Sequence, residues 1–237
     1  MQVPDTVDRR DFLKTTALAG GGLLAWPQLD TGGQETNSNQ SKADDMTPTT
    51  VRQPAMDIPV FDETDVCVCG AGPAGVSAAI AAARQGASVS RVDVNGCAGG
   101  IWTAGLLCWF QGHKHHRGLI NELRLELLER GVAWDEKKSG MAADVDEMKR
   151  LLEELSLDAG VKPLYHTRVT DAAVRHGRIT HAIVENKSGR QAIAADVFID
   201  ATGDGDLAAR AGCGFDIGIG EEQVTQPMSL IAIATGP

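Results

Sequence analysis

Between residues 61 and 220 the chain changes its hydrophobic period several times, from the two-residue alternation of strands to the longer repeat of helices. Residues 65–69, DVCVC, form a short apolar run suited to a strand buried on both faces. A glycine turn follows at Gly70, Gly72 and Gly75, then a helix walled by Ala74, Ala78, Ala79, Ala81, Ala82 and Ala83, which Gly86 ends. A second strand runs up to Asp93. The stripe Leu119, Ile120, Leu123, Leu127 and Leu128 predicts a helix over 119–130, closed by Gly131. Met148, Leu151, Leu152 and Leu155 mark another over 144–160, with Asp144 and Glu147 at capping-box spacing and Gly160 as its stop. Four β-type runs follow at 161–166, 168–174, 179–185 and 191–200, with turn signals at 175–177 and 187–189. The last three predict a small antiparallel meander, whose closing residues Val197, Phe198 and Ile199 return to a parallel sheet. The fold class expected is α/β, Rossmann-like, with a parallel sheet interrupted by a small antiparallel β-meander.

The first 60 residues follow neither period. Arg9 and Arg10, with Phe12, Leu13, Lys14 and a mild apolar run over 15–26, resemble a twin-arginine export signal covering residues 1–27. That run is glycine-rich (Gly20, Gly21, Gly22) and short of the roughly 20 apolar residues a spanning helix needs, so no permanent membrane span is expected. The expected partner during export is the twin-arginine translocase, and the expected location is periplasmic or otherwise extracytoplasmic. Residues 28–60 are rich in Gln, Asn, Ser, Thr and Pro and read as a disordered linker, because they bury too little apolar surface to offset ordering entropy.

A net charge of −10 with no concentrated basic face argues against nucleic acid as a partner. The five cysteines, Cys67, Cys69, Cys97, Cys108 and Cys213, show no CxxC spacing, so no disulfide framework, zinc motif or iron–sulfur motif is visible. Cys67 and Cys69 read as small core residues in a strand.

The candidate chemistry starts at the glycine turn. Gly70 permits the tight turn, Gly72 lets the backbone approach a pyrophosphate, and Gly75 lets the helix pack closely on its strand. The helix N-terminus offers free N–H groups and the positive end of its dipole to the anion. Asp93 lies about 20 residues further on, where an acid takes the adenosine ribose hydroxyls. The doublet Gly99-Gly100 lets backbone lie against a ligand. Ile101, Trp102, Leu106, Leu107, Trp109 and Phe110 are too apolar for a solvated loop and are expected to line a pocket or the core. His113, His115 and His116 are interleaved with Lys114 and Arg117, which favours a basic surface loop over a metal site. In ATGDGD (201–206), Gly203 and Gly205 relax the backbone, while Asp204 and Asp206 are candidates for hydroxyl contacts or for capping a helix over 207–211.

Four motifs in order, GAGPAG, AGGIWTAGL, DVDEMKRLLEELSLDAGVK and VFIDATGDGDLAARAG, resemble the FAD-dependent oxidoreductases with a glutathione-reductase-like fold. The resemblance is closer still to those related to the flavin subunit of heterodisulfide reductase. It implies an FAD-binding domain over 61–220 in which Gly70, Gly72, Pro73, Ala74 and Gly75 hold the pyrophosphate and Asp93 holds ribose. It further implies that Gly99 and Gly100 lie along the dinucleotide and that Thr202, Gly203 and Asp204 close the site. The implied activity is transfer of hydride or electrons from a small-molecule substrate to an unidentified acceptor through FAD. Thr103 and His113 are the local candidates for catalytic groups near the flavin.

The sequence departs from the family at Asp93, where relatives have Glu, on a strand whose Ser90 and Arg91 are polar. An iron–sulfur cluster would follow only from family analogy. Residues 221–237 match the start of a substrate domain, which makes a truncated chain the expectation. The competing readings are a non-catalytic nucleotide-binding remnant, one piece of a split flavoprotein, an electron-transfer subunit, and half of an NAD-binding dehydrogenase. The meander and ATGDGD favour FAD over the last. Changing Arg9 and Arg10 together to Lys is expected to hold the protein in the cytoplasm on fractionation, and normal export of that variant would refute the signal.

Overall fold

A computed structural model of the chain describes residues 50, 52–111, 117–136 and 140–232. The export segment, the linker up to residue 49 together with residue 51, and the histidine cluster including His113 lie outside the described residues. Of the unit Met1–Pro54 only residues 50 and 52–54 are described, and every element below belongs to the unit that starts at Ala55.

The predicted nucleotide unit is present as strand β1 (Val60–Cys69), helix α1 (Pro73–Arg84) and strand β2 (Val89–Val92). Strand β6 (Lys162–Leu164) extends the sheet beyond β2 in parallel. The meander consists of β7 (Arg168–Arg175), β8 (Arg178–Asn186) and β9 (Gly189–Asp200), all antiparallel. It does not stand apart from the parallel strands. Strand β9 pairs antiparallel with β8 and parallel with β1, giving one six-stranded sheet in the order β6-β2-β1-β9-β8-β7. The fold is α/β, and this shared strand is where the meander interrupts the parallel sheet.

Strand β1 begins five residues before the predicted run, because Val60 to Thr64 pair with Ala192 to Ala195 of β9. Its later half explains the unbroken apolar pattern of DVCVC. Val66 and Val68 face one cluster with Ala79, Ala82 and Val89, while Cys67 and Cys69 face another with Val92, Ala182, Val184, Ile193 and Leu207. A strand covered on both faces has no polar side to show.

Helix α2 (Leu119–Glu129) buries Leu123 and Leu127 completely, and α3 (Val145–Asp158) buries Met148, Leu151 and Leu152. These side chains form one cluster with Val76 and Ile80 of α1 and with Trp102 and Phe110. Asp144 caps α3 as expected, its carboxylate accepting from the N–H groups of Asp146 (2.9 Å) and Glu147 (3.0 Å). The capping box is only half formed. The Asp144 N–H donates to the Val132 carbonyl, and the Glu147 side chain turns instead to Arg150 at 2.8 Å.

A second sheet was not legible in the sequence: β3 (Trp109–Phe110), β5 (Gly140–Ala143) and β4 (Ala133–Glu136) pair antiparallel in that spatial order. It shelters Phe110 and Met141. The apolar stretch 101–110 divides accordingly: Trp102, Cys108 and Phe110 are core, whereas Ile101 and Leu107 are exposed, a correction to the expectation that all of them line a pocket or the core.

The polar positions of β2 are accommodated by partners from distant segments. Ser90 donates to Asp62. Arg91 is fully buried, its guanidinium donating to Ser156 Oγ (2.7 Å) and Tyr165 OH (3.0 Å), and the phenol in turn donates to Glu153. Burial, then that bond to Glu153, raises the Tyr165 phenol above its ordinary pKa, so it stays protonated and bridges cation to carboxylate. The Nε of Arg91 has no partner among the described residues. Removing another partner from so buried a charge is costly. Tyr165→Phe is therefore expected to lower the unfolding free energy by about 1–3 kcal/mol in urea titration. Adding Arg91→Met should restore part of the loss, and strictly additive losses would show that the two side chains act independently.

Candidate functional site

The site forms where the C-terminal ends of β1, β2 and β9 meet the N-terminus of α1. Gly70 leaves β1 at φ +104°, its N–H bonded to the Val92 carbonyl at 2.8 Å. A Cβ at Gly70 would stand 2.1 Å from the Ala201 carbonyl oxygen, and one at Gly75 would stand 2.0 Å from the Gly70 carbonyl oxygen. Both contacts are with backbone, which has no room to give, so side chains are excluded at two of the three motif positions. Gly72 differs. It occupies the N-cap of α1 at φ −66°, with Pro73 in the first turn and no side chain capping the helix, and a Cβ there would meet nothing within 4 Å. The space over Gly72 is open at a helix end whose first N–H groups need acceptors, which is the geometry of an anion cradle.

The doublet packs directly on this turn. The Gly99 N–H donates to the Ala71 carbonyl at 2.7 Å, and a Cβ at Gly100 would come within 2.8 Å of the Gly72 Cα. Pro73 and Ala74 hold the first turn of α1, and Gly100 opens a short 3₁₀ turn, Gly100–Trp102. Thr103, just beyond it, is fully buried, and its hydroxyl donates to the Ala98 carbonyl at 2.6 Å. That proton is engaged in pinning the loop, so a structural role describes Thr103 better than the catalytic one considered from sequence.

Asp93 ends β2 nearly buried, with both carboxylate oxygens directed at backbone: Oδ2 accepts from the Ala71 N–H (2.5 Å) and Oδ1 from the Asn95 N–H (2.7 Å). It also borders an open cleft lined by Gly70, Val94, Arg168, Val169 and Thr202. Each carboxylate oxygen keeps a second acceptor position, so these backbone bonds leave Asp93 able to receive a hydroxyl. Thr167 fastens the opposite wall, its N–H donating to the Asp93 carbonyl at 2.8 Å.

The 201–206 loop closes the third side. Ala201 is tied to β1 through its N–H and the Cys69 carbonyl at 2.7 Å. Thr202 lines the cleft, while Gly203 and Asp204 are exposed on the loop. The expectation that Asp206 caps the following helix is corrected. The N-cap of α4 (Asp206–Arg210) is Gly205, and its amides are met by other side chains: the Asp206 N–H donates to Thr202 Oγ1 and the Ala208 N–H to Asp200 Oδ2, each at 2.8 Å. Asp200 was not singled out from sequence, although an acid two residues before a threonine at a strand end is the spacing of an Asx turn. The start of β7, which supplies Arg168 and Val169 to the cleft, carried no signal of its own.

Cys67 and Cys69 are buried, as expected of core residues. The bond to Cys67, then burial, raises the Cys69 thiol well above its ordinary pKa, and burial pushes Cys108 up to about 12. Thiols so protonated are poor nucleophiles and metal ligands. Among the described residues no group of His, Cys, Asp and Glu is arranged to hold a metal ion.

Compared with known proteins, residues 65–236 match the model of a family described as FAD dependent oxidoreductase. Two thiamine thiazole synthases are similar in sequence: one from Pyrococcus abyssi, 28% identical over 52% of this chain and 47% of its own, and one from Pyrococcus horikoshii, 26% identical over 62% and 60%. The chain thus spans about half the length of the curated relatives it matches. Among solved structures, that of Thermovibrio ammonificans THI4 is similar with a TM-score of 0.49 and 22% identity, covering 62% of this chain and 61% of that one.

The open position at Gly72 and the packed one at Gly70 separate ligand loss from misfolding. Gly72→Ala is expected to change the melting temperature little while its methyl group intrudes on a diphosphate and weakens FAD binding in titration. Gly70→Ala is expected to destabilise the fold itself. Full FAD binding by Gly72→Ala would move the diphosphate elsewhere.

Proposed function

The chain belongs to the FAD dependent oxidoreductase family, and from that we propose that it binds FAD across the C-terminal ends of β1, β2 and β9, from the cleft beside Asp93 to the start of α1, to oxidise or reduce a small molecule. The observation that carries this reading is the uncapped start of α1 beneath the open space at Gly72, with backbone packed against Gly70, Gly75 and Gly100 around it. The residues present fit the group. The first-turn amides of α1, with Gly72, Pro73, Ala74 and Gly75, would receive the diphosphate. Asp93 would accept the adenosine ribose hydroxyls, with Val94, Arg168 and Val169 walling the adenosine end. Thr202, Gly203 and Asp204 would border the diphosphate from the β9 side, and Gly99 and Gly100 would lie along the dinucleotide.

FAD, when bound, supplies the isoalloxazine ring that takes hydride or electrons from a substrate and returns them to an acceptor. This chain's own contribution is to bind and orient. Asp93 and the loop over 201–206 are held by hydrogen bonds within the protein, so little is left to order when the ligand arrives. The Arg9-Arg10 segment supports a further element of the proposal, export through the twin-arginine translocase with FAD already loaded.

The test is spectral. Purified protein is expected to be yellow, to show an oxidised-flavin spectrum that bleaches with dithionite, and to release FAD on denaturation. A colourless protein that FAD does not reconstitute would overturn the proposal.

A further inference from the structure

The site's residues follow the ends of strands and the start of a helix, and the segment after β9 is held by hydrogen bonds that start from one carboxylate. Asp200 makes three hydrogen bonds to that segment: Oδ1 accepts from the Thr202 N–H (3.1 Å) and Thr202 Oγ1 (2.8 Å), and Oδ2 accepts from the Ala208 N–H (2.8 Å). The Thr202 hydroxyl, having donated to Asp200, accepts from the Asp206 N–H at 2.8 Å. The carboxylate therefore joins the start of the loop, through Thr202, to both the first and third residues of α4. Within this ring Gly203 and Gly205 hold φ of +95° and +70°, and a Cβ at either would meet nothing within 4 Å, so packing does not set their conformation. Two unsupported glycines make a flexible loop unless its ends are tied.

We propose that Asp200 is a positioning residue for FAD: its carboxylate holds the 202–206 loop in the shape that borders the dinucleotide before the cofactor arrives. The inference rests on the FAD reading above and adds to it a residue that touches no cofactor itself. Charge-assisted bonds of this kind are about twice as strong as neutral ones, and three converge on one group. A loop ordered in advance spares the ligand that entropy on binding. Asp200→Ala should free the loop and weaken FAD binding about 10- to 100-fold, the range expected from losing a hydrogen bond to a charged acceptor.

The alternative is that Asp200 simply stabilises the start of α4. Two milder variants separate these roles. Asp200→Asn keeps the acceptor facing Thr202 but sets an amide donor against the Ala208 N–H. Thr202→Val keeps the branched shape and cuts the hydroxyl link to both Asp200 and Asp206. FAD affinity is measured by fluorescence titration, the bound flavin by visible circular dichroism, and the apoprotein by amide exchange resolved at residues 202, 206 and 208.

Positioning predicts faster exchange at 202 and 206 in apo Thr202→Val, weaker FAD binding and an altered dichroic band, with exchange in the β1 and β9 strands unchanged. Asp200→Asn should fall between wild type and Asp200→Ala. Wild-type affinity in both Asp200→Asn and Thr202→Val overturns the inference, as does a loss of affinity matched by a general rise in exchange. Should Asp200→Ala fail to fold, these two variants decide the matter. A wild-type protein that takes up no FAD overturns the FAD reading and this inference with it, whereas wild-type binding with unaffected variants overturns the inference alone.

Discussion

The contact between the backbone at Gly70 and the carbonyl of Ala201 is the constraint on which the site depends. It is where two strands distant in sequence leave the sheet side by side, and where the chain has room for no side chain. Because Ala201 also donates to the Cys69 carbonyl, the turn after β1 and the loop after β9 form a single fixed corner. Helix α1 starts from that corner with its amides outward, and the Gly99-Gly100 doublet is placed by the Ala71 carbonyl one residue further on. The anion site proposed at this corner uses no charged side chain. It uses backbone that has been brought close and kept bare.

Two carboxylates then steady the parts that the sheet does not. Asp93 and Asp200 stand at the C-terminal ends of the two strands that flank β1, and each accepts backbone N–H groups: Asp93 from Ala71 in the turn after β1 and from Asn95, Asp200 from Thr202 and Ala208. They differ in what remains available. Asp93 borders the cleft and keeps acceptor capacity for a ligand, while Asp200 faces its own loop. The buried Arg91 performs a related task behind Asp93, joining β2 to α3 and to the Tyr165 segment that walls the cleft. Arg91, which looks out of place on a buried strand, thus ties β2 to the segment that leads into the cleft-lining residues 167–169.

Much of this was legible before any coordinates. The glycine turn, the alanine-walled helix and the strand leading to Asp93 were legible as elements because each answers to a local rule of turn, packing or period. The meander read correctly because glycine turns separate clear alternating runs. The small sheet of β3, β4 and β5 was not legible: WF, AWDE and GMAA are too short to show a period. The early half of β1 was hidden for another reason, since Val60, Phe61 and Glu63 are exposed and only their pairing with β9 makes them strand. Asp206 was misread as a cap because the helix start is set by Asp200 and Thr202, acting from positions that a linear pattern does not connect. His113, outside the described residues, stands where the sequence left it.

The double pairing of β9 bears on how such a chain acquires its shape. Strands β7, β8 and β9 meet through tight turns, so their contacts are near neighbours and carry a small closure entropy. The pairing of β9 with β1 spans nearly the whole domain and carries the large one. The Gly70–Ala201 corner lies at the far end of that long closure, so the candidate site is complete only once the long-range pairing has formed.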